Sequence, residues 1–148
     1  MIEQEIYKAL VNVLVFFNRT DQDKELIRIA GVDLEATSLQ AFITIGRMQP
    51  TNVSDLANIL GKSHSSVSRQ IDKLESKEIV ETENDHSDSR VRSIRLSCKG
   101  NQIIESINAA RLEALKSAFS TWEEKDKQSL LSDLKHLSKT VDEMSKTF

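Results

Sequence analysis

The stretch SHSSVSRQIDKLESK, residues 63–77, sets Ser63, Ser65, Ser66 and Ser68 around His64 and follows them with Arg69 and Lys73. Hydroxyl, imidazole, guanidinium and ammonium groups are the side chains that grip anionic oxygens and the polar edges of planar ligands. Serine is a mediocre helix former, because its hydroxyl competes for nearby backbone groups. Four of them crowded into one helix start therefore point to side chains kept for a surface. Ser63 also suits the N-cap, where its oxygen can accept a backbone N–H.

Other chemistries find little support. No nucleophile and base stand in a recognisable motif, and no glycine loop is available to cradle phosphate, so an enzyme is not expected. The single cysteine, Cys98, forms no CxxC pair, and His64, His86 and His136 lack ligand spacing, so neither metal nor cofactor is expected. Glu3 and Glu5 stand where a targeting segment would be basic, and the apolar run from Leu10 to Phe17 is short and broken by Asn12. A cytoplasmic protein without a membrane partner is the expectation. The net charge of −3 hides an uneven distribution. Residues 1–50 carry seven acids and five bases, whereas residues 86–100 hold Arg90, Arg92, Arg95 and Lys99 against Asp88 alone. Positive charge gathered in one third of an acidic chain suits a single anion-binding surface, although a solvated charged face would look the same.

The elements that must position these groups follow from hydrophobic spacing. With 148 residues, 39% hydrophobic and 29% charged, and only one proline and four glycines, the chain should form a helix-rich fold with long elements. Ile2, Ile6, Ala9, Val13 and Phe16 repeat at helical spacing, with a second stripe at Leu10, Leu14 and Phe17. Thr37 or Ser38 can cap a helix bearing Leu39, Phe42, Ile43, Ile45 and Met48, which ends near Pro50. A short helix follows, with Val53, Leu56, Ala57 and Leu60 inward and Gly61 at its exit. In the next helix Val67, Ile71 and Leu74 form the inner stripe, which turns Ser65, Arg69, Asp72 and Ser76 outward with Ser66 and Lys73 beside them.

The segments EIVETE and VRSIRLS alternate as two strands around the polar tip NDHSDSR. Beyond Lys99, Ile103, Ile107, Ala110, Ala114 and Ala118 mark a further helix, and Thr121 with Glu124 offers a capping box for the last one. There Leu130, Leu134, Leu137, Val141, Met144 and Phe148 keep a four-three repeat. Seams at both chain ends, including Ile2, Ile6 and Val13, predict interlocking with a second copy into a twofold homodimer. Phe16, Phe17 and Phe42 read as core.

Two short helices across a glycine turn, then a hairpin, make a winged helix-turn-helix. On such a frame the helix 63–77 enters the major groove of double-stranded DNA. Small serines let the backbone approach, and Arg69 can make two bonds to a guanine edge. Ser65 and Ser66 would read or position near bases, Lys62 and Lys73 would meet phosphates, and His64 is a candidate phosphate contact at the helix start.

The run VSDLANILGKSHSSVSRQIDKLESKEIVETENDHSDSRVRSIRLSCKG, residues 53–100, resembles the MarR family of regulators. SSVSRQIDKLE resembles the family's recognition helix, and Asp88-Ser89-Arg90 leading into IRLSCKG resembles its wing. The resemblance implies that Arg90 enters the minor groove, where a narrow groove concentrates negative potential, and that Asp88 steadies the wing tip by pairing with an arginine. Arg92 and Arg95 are either further DNA contacts or ordinary strand-face cations. The resemblance further implies repression and release by a small, often aromatic, acid. Glu78 departs from the pattern, since a glycine is usual there, and Cys98 stands where proline is common.

The sequence thus predicts a mainly α chain: a DNA-binding region over 36–98, with recognition helix 63–77 and wing 84–92, and a helical dimerisation region over 1–20 and 99–148. A homodimer would bind a pseudo-palindromic operator. A winged-helix module that binds another protein is the competing reading.

Overall fold

A computed structural model describes residues 1–17, 24–25, 27–29, 31, 33–84, 87–88 and 91–147. The apolar stripes become α1 (Ile2–Phe17), α2 (Ala36–Met48), α3 (Val53–Leu60) and α4 (His64–Ser76), then strands β1 (Val80–Asn84) and β2 (Arg92–Leu96). Helices α5 (Cys98–Ala118) and α6 (Glu124–Ser145) complete the order. The chain separates into two compact units, Met1–Ala110 and Arg111–Phe148, with the boundary inside α5. Arg90, His86 and Phe148 lie outside the described residues.

In the first unit, α2 contributes Leu39, Phe42 and Ile45 to the core, α3 contributes Val53 and Leu56, and α4 contributes Val67, Ile71 and Leu74. The hairpin adds Val80, Ile94 and Leu96, and α5 adds Ile103 and Ile107. Each such side chain taken fully from water contributes about 1.5–3 kcal/mol, which is what holds three short helices and a hairpin together. The hairpin is antiparallel, with Val80 opposite Leu96, Thr82 opposite Ile94 and Asn84 opposite Arg92. Alternate residues therefore turn to the same face. Two strands alone would be marginal. Here Thr51 bonds β2 in both directions, Thr51 N–H to the Ile94 carbonyl at 2.9 Å and Ile94 N–H to the Thr51 carbonyl at 2.8 Å. The Gln49 Oε1 also accepts the Leu96 N–H at 2.9 Å.

The exit of α4 has a defined geometry. Glu78 adopts φ +62°, its N–H donates to the Glu75 carbonyl at 2.9 Å, and the Ile79 N–H donates to the Leu74 carbonyl at 3.3 Å. This is a Schellman cap with glutamate at the left-handed position, where glycine avoids a steric cost of about 1 kcal/mol. Ser97 locks the same corner. Its Oγ donates to the Glu78 carbonyl at 2.7 Å and accepts the Gly100 N–H at 3.0 Å, which caps α5. A Cβ on Gly100 would lie 2.1 Å from the Ile79 carbonyl oxygen, so the corner admits only glycine there.

Several expectations are corrected. Neither Thr37 nor Ser38 caps α2, which starts at Ala36 after Glu35, with no side-chain cap bond. Ser38 is instead buried within the helix, and its Oγ donates to Gln70 Oε1 at 2.7 Å. The Thr121–Glu124 capping box is not formed. A turn in which the Trp122 N–H reaches the Phe119 carbonyl at 3.0 Å delays the start of α6, so its N-cap is Glu123, also without a side-chain cap bond. Cys98 is the exposed first residue of α5. That first helical position is one where proline is favoured. Phe16 and Phe17 are exposed rather than core, because no residue of α1 is buried.

Two substitutions test the corner through urea unfolding. Glu78→Gly should raise stability by about 1 kcal/mol by relieving the left-handed glutamate. Gly100→Ala should lower it by about 3 kcal/mol, since the added methyl must displace backbone.

Candidate nucleic-acid interface

Three residues separate α3 from α4, and each part of the turn has a local cause. Asn52 caps α3 by accepting the Asp55 N–H at 2.9 Å. Gly61 ends the helix at φ +63°, and the Ala57 carbonyl accepts the N–H groups of both Gly61 and Lys62. Left-handed backbone costs glycine little, so the chain reverses within a single residue. Ser63 then caps α4, its Oγ accepting the Ser66 N–H at 3.1 Å. Ser65 Oγ lies 3.3 Å from Ser63 Oγ, and His64 Nε2 lies 3.3 Å from Ser54 Oγ on α3. The starts of both helices are thereby tied side to side.

Helix α4 is two-faced. Val67, Ile71 and Leu74 have no solvent exposure, whereas Ser65, Arg69, Asp72, Lys73 and Ser76 are exposed. Its 13 residues span about 20 Å, and its diameter suits a major groove about 12 Å wide. Among the described residues, no hydrogen bond or ion pair engages the Arg69 or Lys62 side chain. Lys73 Nζ lies 3.5 Å from Glu35 Oε2 with both side chains more than half exposed, a pair worth little in water and easily exchanged for another anion.

The wing differs in part from expectation. Arg92 does not stand free, because Asp72 and Glu75 of α4 already hold its guanidinium, at 3.2 and 3.0 Å. Arg95 lies on the opposite strand face, 3.3 Å from its cross-strand partner Glu81, as an ordinary strand-face cation does. The Asp88 carbonyl accepts the Val91 N–H at 3.0 Å and so closes the turn into β2. The structure thus gathers Lys62, Ser63, His64, Ser65, Ser66, Arg69 and Lys73 at the turn and outer face of α4, with Asp88 and Arg92 on the hairpin beside it.

Positioning residues that the sequence reading missed are Gln70, Gln49, Ser97 and Gly100. Gln70 meets Ser38 across 32 residues of chain, a pairing without a local signature. The face of Arg92 was legible, since period-two alternation from Ile94 and Leu96 puts residue 92 on the inner side. Among the described residues, no group of three or more metal-binding side chains occurs, and no helix is long and apolar enough to cross a membrane.

Residues 34–91 match the MarR family model. Over those residues this chain is similar to the MarR family. The chain is 28% identical over 96 residues to YxaD of Bacillus subtilis (strain 168), an uncharacterized HTH-type transcriptional regulator, covering 65% of this chain and 67% of that one. Its fold is similar to that of a MarR family protein from Bacillus stearothermophilus, with a TM-score of 0.78 and 18% identity over 95% of this chain and 96% of the other. It is also similar to FabT of Streptococcus pneumoniae, solved in complex with DNA, with a TM-score of 0.63 and 18% identity over 97% and 96% of the two chains. These likenesses establish the MarR winged-helix fold.

Removing the cap should separate its role from that of its neighbour. Ser63→Ala is expected to cost about 1 kcal/mol in urea unfolding. Ser65→Ala, whose hydroxyl caps nothing, should stay within about 0.5 kcal/mol of the parent.

Proposed function

We propose that this protein, similar to the MarR family over residues 34–91, binds a pseudo-palindromic operator as a homodimer and represses transcription by blocking polymerase. Helix α4 would enter the major groove, and the wing over 84–92 the flanking minor groove, with Arg90 inserted there. The observation that carries this reading is Arg69: an exposed guanidinium without a partner among the described residues, on the outer face of a capped helix whose inner face is wholly buried. Such a group is positioned to make two bonds to guanine O6 and N7. Lys62, Ser63, His64, Ser65, Ser66 and Lys73 supply the surrounding phosphate and base-edge contacts. That FabT was solved with DNA supports duplex DNA as the partner.

Two recognition helices would meet successive major grooves about 34 Å apart if the terminal regions, 1–20 and 99–148, pair two copies. In α1, Ile2, Ile6 and Val13 are at least half exposed. In α6, Val141 and Met144 are at least half exposed, Leu134 and Leu137 somewhat less, and Leu130 is half-buried. Apolar stripes of this length call for a cover. Release by a small aromatic acid completes the reading and is supported by family resemblance alone.

Fluorescence anisotropy on DNA from upstream of its own gene, against scrambled duplex across a salt series, tests the proposal. Preference for one site by about a thousandfold with a steep salt dependence is expected. Weak binding that ignores sequence, on that DNA and on duplexes recovered by random-sequence selection, would favour the protein-interaction module. Arg69→Ala should cost about 1–3 kcal/mol at the preferred site and relax base preference there, whereas Lys73→Ala should weaken all duplexes alike. Leu134→Lys should halve the mass measured by light scattering, and an unchanged dimer would remove α6 from the interface.

A further inference from the structure

The outer face of α4 presents a difficulty for a DNA-binding helix. Asp72 and Glu75 are carboxylates beside the groups that would meet phosphate, and like charge at a nucleic-acid surface opposes association. Both are engaged by one side chain. Arg92 Nη1 lies 3.2 Å from Asp72 Oδ1, and Nη2 lies 3.0 Å from Glu75 Oε2. Thr82 Oγ1 donates to the other Glu75 oxygen at 3.0 Å and stands 3.5 Å from Arg92 Nη2. The cluster therefore joins two successive turns of α4 to both strands of the hairpin.

The placement of Arg92 separates it from the other strand arginine. It shares the inner strand face with Ile94 and Leu96, and its side chain is 31% exposed, against 56% for Arg95 on the outer face. A planar guanidinium presents several donors in a fixed fork and can serve two carboxylates at once, whereas an ammonium offers a single point of charge.

We propose that Arg92 is a positioning residue, which neutralises Asp72 and Glu75 and fixes the wing against the recognition helix without touching DNA. The major-groove and minor-groove elements are then held at one spacing, and the charge of the exposed Asp72 and Glu75 carboxylates is offset by the guanidinium. This inference rests on the DNA-binding reading above. It assigns Arg92 a different role from Lys62 and Lys73, whose charge acts on the phosphates directly.

The test is anisotropy of the full-length protein on the duplex it selects from random sequence, across a salt series, with variants confirmed as folded by circular dichroism. Arg92→Ala should lower affinity on the order of tenfold, by exposing two carboxylates and loosening the wing. The slope of log affinity against log salt should stay at the parental value, because no phosphate contact is lost. Asp72→Asn with Glu75→Gln, added to Arg92→Ala, should restore most of the affinity. Arg92→Gln serves the same comparison if the alanine variant fails to fold.

A salt slope reduced by about one, with no rescue from neutralising the acids, would make Arg92 a phosphate ligand and overturn the proposal. Unchanged affinity in Arg92→Ala would overturn it as well. A parent protein that binds no duplex would instead defeat the DNA-binding reading. Thermal melts then read the tie itself, which requires the effects of Arg92→Ala and Glu75→Gln to be non-additive, and additive effects would refute it.

Discussion

At the corner where α4 gives way to the hairpin, three chain segments share one small volume, and their order is set by the Ile79 carbonyl. That oxygen accepts the Ser97 N–H at 3.1 Å and comes so near Gly100 that no Cβ fits between them. The first turn of α5 is thereby pressed onto the exit of α4, while Ser97 holds the Glu78 carbonyl and caps α5 with the same oxygen. Close approach of backbone to backbone leaves few alternative arrangements, because peptide groups have fixed geometry and their buried donors and acceptors need partners. The direction of α4, the start of β1 and the start of α5 all follow from this corner. A glutamate held in left-handed backbone at residue 78 shows that its geometry is imposed by the surrounding bonds and not by local preference.

From that corner outward, the surface of α4 divides by charge. Its N-terminal half offers serine hydroxyls, His64 and Arg69, and its C-terminal half offers Asp72 and Glu75, bound to the wing through Arg92, with Lys73 between them. An acidic chain with a net charge of −3 can still present a surface suited to an anion, because Debye screening confines each charge to about 10 Å and only the local arrangement matters. The same pairing joins the two elements that the DNA-binding reading sends into adjacent grooves. Helix and hairpin are also tied by the Thr82–Glu75 hydrogen bond and by hydrophobic packing, which excludes water but fixes orientation loosely compared with a two-carboxylate fork.

How much of this could be read in advance depends on how local each cause is. The inner stripe of Val67, Ile71 and Leu74, the glycine turn at Gly61 and the Ser63 cap are all set within a few residues, and each stands where its spacing placed it. The alternation around Ile94 located the hairpin in the same way. Readings failed where a local signal met a tertiary demand. Ser38 has the chemistry of a cap, yet a half-buried Gln70 partner and a helix starting two residues earlier leave it no such role. Thr121 and Glu124 have capping-box spacing, but the Phe119–Trp122 turn, with its rings edge to face at 4.9 Å, occupies that stretch.

The sequence by itself determined which elements form, which face of each is apolar, and which polar groups α4 turns outward, because periodicity and capping act over single helical turns. It also carried the family pattern, since the Leu96-Ser97 and Lys99-Gly100 pairs sit at the corner described above. Only the tertiary structure decided what the outward groups face. Among the described residues Arg69 was left without a partner and Arg92 was bound to two carboxylates, although both are arginines on amphipathic elements. The difference arises because charges on separate elements interact according to distance and exposure in space, which packing of the core sets and spacing along the chain does not.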